Sequence, residues 1–157
     1  MYVSIQCIDA VFLSPLYEVA WAIEKLYEGK VNKQSELDTI MDAYGIQIEA
    51  LDTAQIVCSM QIKSEHLNSF HVAFGGVLFH VADLAAGRVF MADGSNGLTV
   101  SGTIHYVAPV PLGTVITCTA KIIKRGVRLS YIDVVITNAT GVVFTTVSYI
   151  FSKVQYE

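Results

Sequence analysis

Basic side chains are scarce in this chain: 10 Lys and Arg stand against 14 Asp and Glu, for a net charge of −4. A surface that neutralises a nucleic-acid backbone needs the opposite balance, so nucleic acid is not an expected partner. Cysteine is scarcer still. Cys7, Cys58 and Cys118 are widely spaced, form no Cys-x-x-Cys pair and leave one over in any disulfide scheme, which reads as reduced core residues. No apolar run approaches the roughly 20 residues needed to cross a bilayer, and the first residues lack the basic start and small-residue cleavage site of a secretory signal. The expected location is therefore the cytoplasm, with no membrane partner. There is no Gly-x-Ser-x-Gly elbow and no Walker-type loop, so serine-hydrolase and nucleotide-hydrolase readings lack a motif.

What the chain does have is apolar residues. Its 157 residues suit one domain, and at 53% hydrophobic and 15% charged it is more apolar than a typical monomer. Some of that surface is expected to close a homo-oligomer interface. Within the most apolar stretch, Phe74-Gly75-Gly76-Val77-Leu78-Phe79-His80-Val81-Ala82-Asp83-Leu84-Ala85-Ala86-Gly87, stands one carboxylate, Asp83. Burying an unpaired charge is costly, so this acid needs either a partner or a task. At helical spacing its neighbours are Phe79, His80, Ala86 and Gly87, and the small ones leave room beside it for a ligand.

Ser14-Pro15 reads as an N-cap and first helical residue, followed by apolar residues at helical spacing up to Gly29, with Trp21 among them. Residues 30–36 are a polar link, and a short amphipathic stretch runs from Leu37 to Tyr44 before Gly45. The expected division is an N-terminal helical extension over 1–36 and a domain over 37–157. From Ile46 to Ile62 alternation and β-branched residues predict two strands around Leu51-Asp52-Thr53, then a polar loop over 63–69 and the Asp83 helix, ending near Asp93-Gly94. Beyond Gly97, segments rich in Thr, Val, Ile and Tyr are separated by 109–113, 124–128 and 138–141, which predicts four more strands joined as an antiparallel meander. An α+β fold follows, with an antiparallel sheet of about five or six strands wrapped around one apolar helix.

From Leu37 to Val154 the residues resemble the hotdog-fold acyl-CoA thioesterases of the phenylacetate-degradation, or PaaI-like, type. The resemblance rests on His66-Leu67-Asn68, Gly75-Gly76, Val77-Leu78-Phe79, Ala82-Asp83, Ile104-His105-Tyr106, Pro109, Gly113 and Lys124-x-Gly126 taken together. It implies a hotdog domain that assembles as a homodimer or homotetramer. It also implies hydrolysis of an acyl-CoA to free acid and coenzyme A, with no cofactor or metal beyond the coenzyme A of the substrate. By position Asp83 matches the family's general base or nucleophile, Asn68 the residue that orients water, Gly75 the glycine whose N–H polarises the thioester carbonyl, and Thr99 an assisting hydroxyl. Family precedent puts Asn68 and Gly75 on one chain and Asp83 on the other.

One position departs from that pattern. Phe74 stands where the family has a histidine before the two glycines, and this substitution is the basis of an alternative reading, a non-catalytic acyl-CoA binding or sensing protein. His80, three residues before Asp83, is placed to bias the carboxylate. Phe74, Gly76 and His80 are grouped as substrate-contacting residues, Phe79, Phe90 and Tyr106 as candidate lining of an acyl pocket, and Lys124, Arg125, Gly126 and Arg128 as a basic hairpin that meets the coenzyme A phosphates.

Overall fold

The computed structural model describes residues 33–154, in which two α-helices and six strands are the main elements. They are α1 (Lys33–Ala43), β1 (Gln47–Leu51), β2 (Gln55–Gln61), α2 (Gly75–Phe90), β3 (Gly97–Tyr106), β4 (Val115–Arg125), β5 (Leu129–Thr137) and β6 (Val143–Lys153). The helix expected over 14–29, with Cys7 and Trp21, lies outside the described residues. α1 begins at Lys33, four residues before the expected Leu37, so the boundary expected at 36/37 falls inside a helix. Polarity marked residues 33–36 as a link, but none of them breaks a helix, and Glu36 in the first turn complements the helix dipole. Gly45, with φ +70°, closes α1: the N–H of Ile46 returns to the carbonyl of Met41 at 2.9 Å.

The strands form one antiparallel sheet in the order β1-β2-β4-β5-β6-β3. Alternation decides which face meets the helix. Ile56, Cys58 and Met60 of β2, Ile116, Cys118 and Ala120 of β4, and Ile132, Val134 and Ile136 of β5 all point inward and are buried. Against them α2 packs Leu78, Val81, Ala82, Ala85, Ala86, Val89 and Phe90. Each full burial of a large apolar side chain contributes roughly 1.5–3 kcal/mol, which makes this contact the main source of stability. Together with the turn after it, α2 reaches the length and apolarity of a membrane span over Gly75–Asp93, although the charged residues inside it kept it from reading as an uninterrupted apolar run. Here the sheet, not lipid, covers its buried face.

The meander holds for β4, β5 and β6 but not for β3. β3 pairs with β6 at the end of the sheet, while β4 pairs with β2, so residues 107–114 cross over and are not a hairpin. Pro109 and Pro111 have no N–H to offer a ladder. The N–H groups of Val107 and Ala108 both donate to the Phe144 carbonyl, at 2.8 and 3.2 Å, holding the departing chain along β6. The crossover then passes the start of α2, where the Val110 carbonyl accepts from Ala73 N–H at 2.9 Å and Pro111 bridges to Val72.

At the other end of α2 stands Arg125, expected at a phosphate site. Its guanidinium donates to the carbonyls of Phe90 (3.0 Å), Val89 (3.0 Å) and Thr53 (2.9 Å), pairs with Asp93 at 3.0 Å and lies 5.9 Å from the Phe90 ring centre. It is a C-terminal helix cap tied to the β1–β2 turn, because the last helical carbonyls lack intrahelical donors and a cation there meets the negative end of the dipole. Arg125→Met is expected to destabilise the fold by about 2 kcal/mol, read as a lower urea midpoint at unchanged slope. A midpoint equal to wild type would mean that the cap contributes nothing.

Candidate active site

Asp83 lies on the third turn of α2, between the buried Ala82 and Leu84, and is itself half-buried. The hydroxyl of Thr99 donates to its Oδ1 at 2.9 Å. Thr99 is on β3 where the ladder to β6 shifts register between Thr99 and Ser101, and an irregularity of this kind re-aims side chains. Burial raises the Asp83 carboxyl above its ordinary value of 3.8, opposed by the Thr99 hydroxyl and then by the His80 imidazole. Tyr149 of β6 is coupled to the same carboxylate. Burial, then the Asp83 charge, pushes its phenol far upward, so it stays a donor, and it donates to the Phe79 carbonyl at 3.0 Å.

The start of α2 is the second part of the site. Phe74 holds the N-cap position in an extended conformation and supplies no side-chain cap. Its carbonyl accepts from Val77 N–H at 2.9 Å, whereas the N–H groups of Gly75 and Gly76 are among those a helix start leaves without an intrahelical acceptor. Both glycines sit where an added Cβ would press on a neighbouring ring. A Cβ on Gly75 falls 2.8 Å from the Tyr106 ring and hydroxyl, and one on Gly76 falls 2.6 Å from the Phe74 ring. Tyr106 also donates its hydroxyl to the Gly75 carbonyl at 3.0 Å.

Asn68 organises the loop leading into the helix. Its side-chain oxygen accepts from the N–H groups of Phe70 (2.8 Å) and Val72 (3.4 Å), and its carbonyl accepts from His71 N–H at 3.0 Å. This turn holds His71 at φ +58°, a left-handed conformation that a non-glycine residue adopts at some cost, and leaves Phe70 82% exposed. With the oxygen committed to the loop, the NH₂ of Asn68 is the hydrogen-bonding group that remains on its side chain.

The structure therefore brings Thr99 to Asp83, and Tyr106 and Phe74 to the Gly75–Gly76 start of α2, with Asn68 in the loop that leads into it, but it keeps the two ends of the site apart. Gly75 and Asp83 are eight residues apart on one straight helix, an axial separation of about 12 Å. His80 meets Tyr44 in a tilted ring contact, centres 4.4 Å apart, and its buried Nε2 has no hydrogen-bond partner among the described residues. Of the basic hairpin, Arg125 is the helix cap and Gly126 closes the turn with its N–H on Leu129 O at 2.9 Å, leaving Lys124 and Arg128 exposed. Phe90 is fully buried, its ring stacked on Phe151 with centres 5.2 Å apart. Tyr149 went unnoticed in the sequence because no motif marks it, and the hydroxyl of Tyr106 because only the fold carries β3 to the helix start.

Three comparisons bear on what this arrangement is. The model of the thioesterase superfamily matches residues 70–145. Among curated proteins, the acyl-coenzyme A thioesterase PaaI of Escherichia coli is 29% identical over 103 residues, covering 66% of this chain and 74% of that protein. The solved structure of the E. coli PaaI protein superposes with a TM-score of 0.73 at 25% identity, over 75% of this chain and 90% of that one. The chain is similar to thioesterase-superfamily proteins over these residues and shares the hotdog fold of PaaI. Human acyl-coenzyme A thioesterase 13 is 31% identical over 90 residues, and this chain spans 64% of that protein's length. A hypothetical thioesterase of Streptococcus pneumoniae, solved with coenzyme A, superposes at a TM-score of 0.69 and 25% identity, covering 71% of this chain and 90% of that one.

Because the folded state holds the Asp83 proton more tightly than the unfolded chain, the stability set by this group falls as pH rises through 3.8 and stays reduced above the folded value. Asp83→Asn keeps an oxygen for Thr99 and removes the charge, so it is expected to raise Tm at pH 7, with the gain shrinking as the pH is lowered toward about 4. A variant less stable than wild type at pH 7 would mean that the ionised form is the one the fold favours.

Proposed function

We propose that the protein is an acyl-CoA thioesterase. The observation that carries this reading is Asp83, a half-buried carboxylate held by the Thr99 hydroxyl on a helix whose first N–H groups are unoccupied. The names of its relatives point the same way: acyl-coenzyme A thioesterases in human and E. coli, and a streptococcal homologue solved with coenzyme A.

In the proposed reaction the thioester carbonyl oxygen lies on the N–H of Gly75, where the positive end of the helix dipole favours the developing oxyanion. Ionised Asp83 takes a proton from water as the water attacks the carbonyl carbon and the coenzyme A thiolate leaves, or it attacks that carbon itself, expelling the thiolate and forming a mixed anhydride that water then cleaves to the free acid and the restored carboxylate. The NH₂ of Asn68 orients the water. Thr99 keeps the carboxylate aimed and resists the rise of its pKa caused by burial. Phe74 supplies an apolar wall and no proton. Lys124 and Arg128, exposed at the β4–β5 turn, are the cations proposed for the coenzyme A phosphates.

A single thioester carbonyl is too small to touch two groups about 12 Å apart along one helix. The reaction therefore needs a homo-oligomer in which Gly75 and Asn68 of one protomer face the partner's Asp83. β3 suits such an assembly, since it is an edge strand exposed on nearly every residue, including Leu98, Val100 and Tyr106.

Thiol release from short, medium, long and aromatic acyl-CoAs tests the reading. Wild type is expected to turn over at least one class, and Asp83→Asn to lose at least about 100-fold in kcat with the assembly intact. Thr99→Val is expected to move the acid limb of the pH profile upward, because the donor that lowers the Asp83 pKa is gone. No turnover, with thermal stabilisation by acyl-CoA, would replace hydrolysis by binding or sensing, the reading that Phe74 favours. A mixing experiment tests the shared site. Gly75→Val and Asp83→Asn chains, each inactive, are expected on refolding together to regain about a quarter of wild-type activity, since half of randomly formed dimers then hold one intact site. No recovery in verified mixed dimers would confine each site to one chain.

A further inference from the structure

The start of α2 presents a physical conflict. A helix start is ordinarily fixed by a Ser, Thr, Asp or Asn side chain at the N-cap, whose oxygen accepts from the second or third N–H. Such a cap would place a side-chain oxygen on the N–H of Gly76 or Val77, beside the Gly75 donor that the proposed chemistry uses. Here the N-cap residue is Phe74, there is no side-chain cap, and the first turn carries no acidic residue. The turn also contains two consecutive glycines, which leave its backbone freer than any other pair would.

Tyr106 resolves that conflict from the opposite side of the peptide. It is the last residue of β3, paired with Thr145 of β6, and the following N–H groups of Val107 and Ala108 are fixed on Phe144, so its backbone is anchored by the sheet. Its ring fills the space that a side chain on Gly75 would take, 2.8 Å from that Cβ position, and its hydroxyl donates to the Gly75 carbonyl at 3.0 Å. That carbonyl belongs to the same peptide group as the N–H of Gly76. A donor on the oxygen polarises the amide and strengthens its N–H as a donor, and it stops the peptide plane from rocking. The Phe74 ring lies beside Gly76 on the other side, 2.6 Å from where a Cβ on that residue would sit.

We propose that Tyr106 is a positioning residue for the oxyanion donors: it clamps the Gly75–Gly76 peptide by its carbonyl, so that the N–H groups of both glycines stay free and aimed at the thioester. Tyr106 acts through the backbone and takes no proton. The inference rests on the thioesterase reading for its kinetic consequence, but the clamp itself is a structural feature with its own readout.

The test is Tyr106→Phe, which keeps the ring and removes the hydroxyl. The expected result is a kcat about tenfold lower, with KM within about twofold of wild type. The acid limb set by Asp83 should not move, and the Gly76 amide proton should shift upfield in a ¹H–¹⁵N spectrum. A purely packing role would leave kcat and the Gly76 resonance at their wild-type values, and that outcome overturns the proposal. So does a loss of kcat accompanied by a moved acid limb, because the hydroxyl would then be acting on Asp83. A wild-type chain without turnover refutes the thioesterase reading, and in that case an unmoved Gly76 resonance overturns the clamp and an upfield shift supports it.

Discussion

Everything in this domain follows from the need to enclose one very apolar helix that carries a carboxylate. The side of α2 bearing Val81, Ala82, Ala85 and Val89 is covered by inward residues of β2, β4 and β5, and the small alanines let the sheet approach closely. Asp83 sits at the border of that contact. Set deeper, its charge would have to be neutralised or paired. Set on the open surface, its pKa would be ordinary and it would be a weak base. The Thr99 hydroxyl at 2.9 Å is the contact that keeps this intermediate position tolerable.

The edge of the sheet is arranged around the same requirement. β3 supplies Thr99 to the middle of α2 and Tyr106 to its start, contacts of sixteen and thirty-one residues' sequence separation, and it does so from a strand that the sheet supports on one side only. The crossover after β3 then fixes the loop that enters the helix, through Val110 and Pro111. One strand and its exit thus position both halves of the site.

The elements themselves were legible in the sequence. The even alternation in Gln55–Gln61 and Leu129–Thr137 and the turns at Gly45, Gly113 and Gly141 are local signals, written in neighbouring residues. What could not be read was what depends on distant partners. Nothing near β3 says that it pairs with β6 across the sheet rather than with β4 beside it in sequence. The Lys-Arg-Gly-Val-Arg run at the β4–β5 turn reads as a phosphate site because charge is visible and carbonyls are not, yet Arg125 faces the last carbonyls of α2. Asn68 reads in the sequence as a candidate to orient water, whereas its side-chain oxygen is committed to its own turn.

The exchange of an imidazole for a phenyl ring at Phe74 changes the proposed chemistry in a definite way. A histidine before the glycine pair brings a titratable donor to the mouth of the site, whereas Phe74 brings a 58% exposed apolar surface and leaves Asp83 as the one acid–base group of the proposed set. Oxyanion stabilisation then has to come from backbone N–H groups alone, which do not titrate, so the pH profile reduces to a single limb governed by a carboxylate of raised pKa. The demand on the backbone rises accordingly. Donors that work without help from a side chain must be held in place before the substrate arrives, since reorganising them during the reaction would cost part of the stabilisation they provide. A glycine pair satisfies the need for close approach but supplies no rigidity of its own, and the anchored ring and hydroxyl of Tyr106 supply that rigidity without occupying an N–H.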